Sequence, residues 1–188
     1  MGCTVSQMTY TGIKHKQTIT ACDIPANNAR AFTDQEKYYI KKTWKVVSNN
    51  MPGVGAKIFE KIFQLNPFVK QIFPFRDLSG EEMTRDSRFR GHAFLFMQAV
   101  GASVDNIDKL DQVMGPLLIN LGAKHIHFPG FKIKYFDVFV VAILDVFADE
   151  LGSKFNEKVY DVWRHVFEFI ISKLKEGYTT ASEKEDKQ

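Results

Sequence analysis

The run Leu117-Leu118-Ile119-Asn120-Leu121-Gly122-Ala123-Lys124-His125-Ile126-His127 decides the fold. Leu118, Leu121 and His125 recur in steps of three and four, and Leu117 lies one helical turn before Leu121, the spacing of one helix face. The run therefore reads as a helix continuing past Pro116, with an imidazole on its apolar side. One histidine in such a place is ordinarily a core or rim residue. A second helical stretch repeats the pattern, with His92, Phe96, Ala99 and Val100 sharing a face.

Outward from these two stretches the chain stays helical. Thr33 precedes Asp34, Gln35 and Glu36, the spacing of a capping box. Tyr39, Ile40, Trp44 and Val47 then recur at steps of three and four until Pro52 breaks the pattern. A second helix carries Ile58, Phe59, Ile62 and Phe63, and Pro67 ends or bends it. A Phe-rich turn spans Phe68 to Phe75. Ser79 with Glu82, then Asp86 with Phe89, open a longer helical stretch that carries His92. After Pro129-Gly130 a helix with Ile133, Phe136, Val140, Ile143, Leu144 and Phe147 runs to about Leu151. The last helix has the cleanest stripe: Val159, Val162, Trp163, Val166, Phe167, Ile170 and Leu174. No strand alternation or Asn-Gly hairpin interrupts these, so the class is all-α, built from six or more helices.

The 188 residues suit one domain with tails, and the 45% hydrophobic and 25% charged shares exclude wholesale disorder. Phe accounts for 17 residues, which suits a thick helical core or the lining of a bulky apolar pocket. A net charge of +3 without an aromatic-interleaved basic stripe gives no sign of nucleic acid. Cys3 and Cys22 form neither a disulfide framework nor a metal clip, which points to a reducing compartment. An apolar h-region is missing from the start, so Sec export is not expected. The run Val138 to Leu144 is far too short to span a bilayer.

Residues 1–31 are polar and aperiodic and read as a flexible arm; 32–178 read as the folded domain, and 179–188 as a disordered tail. Met1-Gly2-Cys3-Thr4-Val5-Ser6 matches the N-myristoylation pattern, which needs an unhindered α-amine on Gly2. Cys3 is the natural palmitoylation site beside it. One acyl chain binds membranes only marginally, and two hold stably. The arm is thus read as an acylated tether that hangs the domain at the cytoplasmic face of the plasma membrane.

Of the remaining histidines, His15 lies in the arm and His165 falls off the Val162/Val166 stripe, which suggests a solvated face. His125-Ile126-His127 makes no zinc half-site, because the two side chains share a direction only on a strand. Gly53-Val54-Gly55 follows no strand and lacks a third glycine, so it is no dinucleotide loop. His92 and His125 are different: each sits among Phe and Leu, on separate helices. Imidazole is the usual axial ligand of haem iron, and the macrocycle needs a ring-lined slot around it.

On these residues the chain resembles the globin family, over roughly Phe32 to Tyr178. Trp44 and Trp163 resemble the family's A-helix and H-helix tryptophans, and Gly55 the small residue at the B–E helix crossing. Pro67 and Phe73 resemble the C-helix proline and the ring that stacks on haem. His92 fits the distal histidine, and Leu121 with His125 the leucine and proximal histidine of the F helix. The resemblance implies about eight helices in a 3-on-3 sandwich around haem b, an iron protoporphyrin. His125 would bind iron through Nε2, its Nδ1–H held by the Leu121 carbonyl. Phe73 would wedge the porphyrin and Phe59 would sit above its distal face. His92 would hydrogen-bond bound dioxygen or ligate the iron itself. His127 would reach a propionate or simply lie on the surface.

The sequence departs from the family pattern at three places. Phe96 stands where a small aliphatic residue is usual, Leu95 where a basic one is frequent, and Lys124 where a hydroxyl residue often precedes the proximal histidine. Together with Gly2 and Cys3, the core resembles the membrane-attached globin X-like branch and hexacoordinate invertebrate globins. That resemblance implies dioxygen, nitric oxide or carbon monoxide as ligands, or single-electron transfer with a separate partner. An enzymatic alternative is nitric oxide dioxygenation, nitrite reduction or superoxide formation, fed by a separate reductase because 188 residues hold no flavin or nicotinamide domain. A haem-free interaction module is the third reading, and it would need neither His92 nor His125.

Overall fold

A computed structural model describes residues 30–187 as helices and their connections, with no strand among them. The sequence readings at Gly2, Cys3 and the arm up to residue 29 lie outside the described residues. Eight α-helices follow in order: α1 Asp34–Val47, α2 Met51–Leu65, α3 Pro67–Lys70, α4 Gly80–Arg85, α5 Ser87–Asp105, α6 Leu110–Lys124, α7 Asp137–Leu151 and α8 Glu157–Glu185. Short 3-10 turns at 48–50, 107–109, 125–127, 133–136 and 152–154 connect several of them.

Local chemistry sets most of the boundaries. The Thr33 side chain accepts from the Glu36 backbone N–H at 3.3 Å, and the Glu36 carboxylate accepts from the Thr33 backbone N–H at 2.8 Å, completing the capping box. Arg30 adds two hydrogen bonds to the same carboxylate. Asp86 caps α5 by accepting from the backbone N–H groups of Arg88 and Phe89. Ser79, expected to cap in the same way, precedes α4 without a side-chain cap bond. Pro52 and Pro67 lie in first turns, where a missing N–H costs nothing.

Helix α8 is the axis of the core and packs on α1, α6 and α7. At its crossing with α1, Trp163 donates from Nε1 to the buried Thr43 hydroxyl at 2.9 Å. That hydroxyl donates in turn to the Tyr39 carbonyl at 2.7 Å, so both polar groups are satisfied without water. Phe147 and Phe167 close around the same indole at 4.9 and 5.4 Å.

Two backbone approaches fix the helices that carry His92 and His125. A Cβ on Gly55 would come within 2.7 Å of the Ala93 carbonyl oxygen, so α2 and α5 cross where the sequence reading placed the small residue. The second approach is closer. A Cβ on Gly122 of α6 would overlap the Leu174 carbonyl of α8, and one on Gly177 of α8 would overlap the Ile119 carbonyl of α6.

Two sequence readings need correction. His165 is buried, not solvated, and its ring stacks on Phe32 at 4.4 Å. Because α8 is covered on more than one side, a position off its main stripe still ends inside. The chain after Tyr178 is helical through Glu185 rather than a disordered tail. Ala181, Glu183, Lys184 and Glu185 are strong helix formers, and elongating an established helix is far easier than nucleating one.

Replacing Thr43 with Val keeps the shape but removes the acceptor for the Trp163 N–H. A loss of about 1–3 kcal/mol in urea unfolding is expected, the cost of a buried donor left unmade. The Arg30 guanidinium, then the Thr33 groups, hold the Glu36 carboxyl down to about 2. Its folded value lies below its unfolded one, so its contribution is complete above pH ~4.3 and is lost as pH falls toward 2. Stability of Glu36→Gln, measured against pH, should therefore approach that of the unmutated chain in this acid limb and fall below it at neutral pH.

Candidate functional site

The site grows from α6. Its last turn ends at Lys124, and His125 begins a 3-10 turn there. The turn brings His125 Nδ1 to 2.8 Å from the Leu121 carbonyl oxygen one helical turn earlier. A carbonyl only accepts, so Nδ1 carries the proton and Nε2 keeps its lone pair. Burial lowers the ring's pKa, opposed by the Leu121 bond. The imidazole is consequently neutral at pH 7, a σ-donor aimed by one backbone group.

Rings enclose it. Phe131 and Phe136 stand 4.9 and 5.1 Å from His125, and the half-exposed Phe128 flanks it at 5.7 Å. The loop that supplies them is pinned by the Tyr178 hydroxyl, which donates to the Phe131 carbonyl at 3.3 Å. Phe136 immediately precedes α7 and Phe139 lies in its first turn, within 5.7 Å of Phe59 and 5.9 Å of Phe96. One helix start thus touches both halves of the enclosure.

His92 belongs to the other half. Its ring meets Phe59 at 4.9 Å and Phe73 at 5.0 Å, both edge-on, and Phe59 meets Phe96 at 5.6 Å. Burial, reinforced by a smaller effect of the same sign from nearby His125, pushes His92 down to about 4. It too is neutral at pH 7. Two uncharged nitrogen donors on different helices therefore share one apolar, ring-lined enclosure.

The structure brings Phe59, Phe73, His92 and Phe96 together and joins Leu121 to His125 through its backbone carbonyl. His127 stays out of the group: it is exposed and lies 3.7 Å from Glu185. Phe131, Phe136 and Phe139 were missed as site residues. Their signal was the density of Phe after His125, which helical periodicity alone assigns to core. Leu95, 65% exposed, and Leu117, 59% exposed, present aliphatic surface from α5 and α6. No group of three or more His, Cys, Asp or Glu residues able to hold a metal ion occurs among the described residues. A metal here would need most of its ligands from elsewhere, as a macrocycle provides.

Comparison with known proteins bears on the same residues. The globin family profile matches residues 56–174, which include His92 and His125. The chain belongs to the globin family. Cytoglobin-2 of Danio rerio is 31% identical to this globin over 153 residues, covering 78% of the chain and 83% of that protein. An anaerobic nitrite reductase of Casuarina glauca, HBII, is 23% identical over 148 residues, covering 78% and 92%. A crystal structure described as a hexacoordinated haem protein from an anhydrobiotic tardigrade superposes with a TM-score of 0.74 at 23% identity. It covers 79% of this globin and 96% of its own chain, and establishes the fold.

The donor set fits the prosthetic group that globins bind. The neutral imidazole nitrogens would serve as donors to the iron of a porphyrin, and the Phe59, Phe73, Phe96, Phe131 and Phe136 rings would supply the apolar lining it needs.

Proposed function

We propose that this globin holds haem b between His125 and His92 and serves gas binding or single-electron transfer for sensing or redox protection at a membrane. The observation that carries the reading is the pair of neutral imidazoles inside one aromatic enclosure. When bound, haem supplies an Fe(III)/Fe(II) couple and a site for dioxygen, nitric oxide or carbon monoxide.

The chain's own residues account for the remainder. His125 offers Nε2, and the Leu121 carbonyl fixes its tautomer and raises its basicity. His92 is the second donor. Phe59, Phe73 and Phe96 crowd it with carbon, which disfavours a resident water in its place. An imidazole already positioned by its helix loses little entropy on ligating. An external gas then competes with His92, and its observed affinity falls with the fraction of open sites. The tardigrade protein's hexacoordination supports this reading by analogy of fold.

The tether is the second element of the proposal. Gly2 and Cys3 are the acylation sites, and a cytoplasmic membrane face is the location they imply. Reduction of nitrite is a competing role, favoured by the similarity to the plant anaerobic nitrite reductases. It needs a separate electron donor.

Spectra of purified variants test the site. His125→Ala should lower haem content and speed haem loss to an acceptor globin. His92→Leu should turn a low-spin ferrous spectrum high-spin, and carbon monoxide association should accelerate by the inverse of the open fraction. A wild-type ferrous protein that is already five-coordinate removes hexacoordination from the proposal. Nitrite consumption under a chemical reductant, faster in His92→Leu than in wild type, would favour the enzymatic role. Gly2→Ala should shift the protein expressed in eukaryotic cells from the membrane pellet toward the soluble fraction.

A further inference from the structure

The segment that follows His125 carries features that ring packing alone does not use. Between Asp111 and Asp137 the chain has no acidic residue, and its only fixed charges are Lys124, Lys132 and Lys134. All three lysines are exposed and take part in no ion pair among the described residues. Phe128 and Ile133 project among them, 51% and 36% exposed.

A second exposed ring lies beside this segment. A Cβ on Gly130 would sit 3.7 Å from the Ile72 side chain, so the segment abuts the turn after α3. Phe68, one turn before Ile72, is 74% exposed, the most exposed large apolar side chain among the described residues. The stretch 61–76 around it is also free of acid. The nearby carboxylates are engaged: Glu185 faces His127, Asp137 pairs with Lys175, and Asp77 lies beside Arg76. Large apolar side chains projecting among uncompensated lysines match one surface well, the headgroup region of an anionic bilayer. There rings enter the acyl boundary while ammonium groups meet lipid phosphate and carboxylate.

We propose that Phe68, Phe128 and Ile133, ringed by Lys124, Lys132 and Lys134, form a docking surface for an anionic lipid membrane. This surface acts without covalent lipid and does not depend on the acylation of Gly2 or Cys3. No described helix is long and apolar enough to cross a bilayer, so the contact is peripheral. It places the end of α6 that bears His125 against the headgroups. Where an acyl tether is also present, the surface fixes how the domain faces the bilayer: an arm of 29 residues reaches on the order of 100 Å at most, ample for both contacts at once.

The test uses the full-length globin made in bacteria without an N-myristoyltransferase, mixed with vesicles and separated by flotation. Vesicles of 70% phosphatidylcholine and 30% phosphatidylserine should carry the protein up at 0.1 M NaCl. Pure phosphatidylcholine vesicles should not, and 0.5 M NaCl should weaken the binding. The double variant Lys132→Gln/Lys134→Gln should lower partitioning roughly 25-fold, about fivefold per lysine. Phe68→Ser should lower it several-fold while leaving far-UV circular dichroism and the haem spectrum unchanged. Absence of flotation by the unacylated protein would overturn the proposal, even if Gly2→Ala releases the native protein from cells. Binding indifferent to phosphatidylserine, or to the lysine and Phe68 variants, would overturn it equally. A concentration-dependent dimer dissolved by Phe68→Ser, with no flotation, would assign the face to a second copy of the chain instead.

Discussion

Helix α6 lies against α8 as closely as it does because neither Gly122 nor Gly177 has a Cβ. Each glycine faces a carbonyl of the opposite helix, so the approach is reciprocal and leaves little freedom to slide. The constraint matters because α6 carries His125 at its end. With α8 held by Trp163 and Thr43 against α1, the position of the imidazole follows from a chain of contacts remote from it. Gly55 plays the matching part for α2 and α5, and so places His92. The separation of the two histidines is thus set by backbone approach at glycines, and only afterwards trimmed by side chains.

Within that frame, aromatic rings do two jobs. They fill volume, and they keep both imidazoles neutral by excluding water. The second job decides the chemistry, since only an unprotonated nitrogen donates to iron. Burial alone would leave the tautomer of His125 open. The Leu121 carbonyl closes that choice, because it accepts a hydrogen bond from Nδ1–H and leaves Nε2 bare. One hydrogen bond along a helix turn thereby selects which nitrogen is available. Among the described residues no such hydrogen bond holds His92, which is defined by ring packing from Phe59 and Phe73.

The chain presents two unlike surfaces as a result. The interior enclosure is carbon-lined with two neutral donors. Just beyond it, between Phe128 and Lys134, the same connection turns outward with exposed apolar and cationic side chains. A segment that must leave α6, pass the enclosure and start α7 has one side for each environment: Phe131 and Phe136 point in, while Phe128 and Ile133 face out.

Much of this was legible in the chain itself. Helical spacing fixed the class, the capping box at Thr33 and Glu36 fixed where α1 begins, and His92 and His125 stood out because each broke an apolar face. These signals are local, carried by residues within a turn or two of one another. The readings that failed were those that depend on neighbours distant in sequence. The burial of His165 depends on Phe32 and on how many sides of α8 are covered, which no stripe on α8 alone reveals. The roles of Phe131, Phe136 and Phe139 depend on a loop folded back onto His125 and pinned by Tyr178, 47 residues away from Phe131. The sequence by itself determined the helices and which histidines were candidates, because periodicity and capping are set within a few residues. Only the tertiary structure decided that the two imidazoles share one enclosure, because that is fixed where glycines let distant backbones meet.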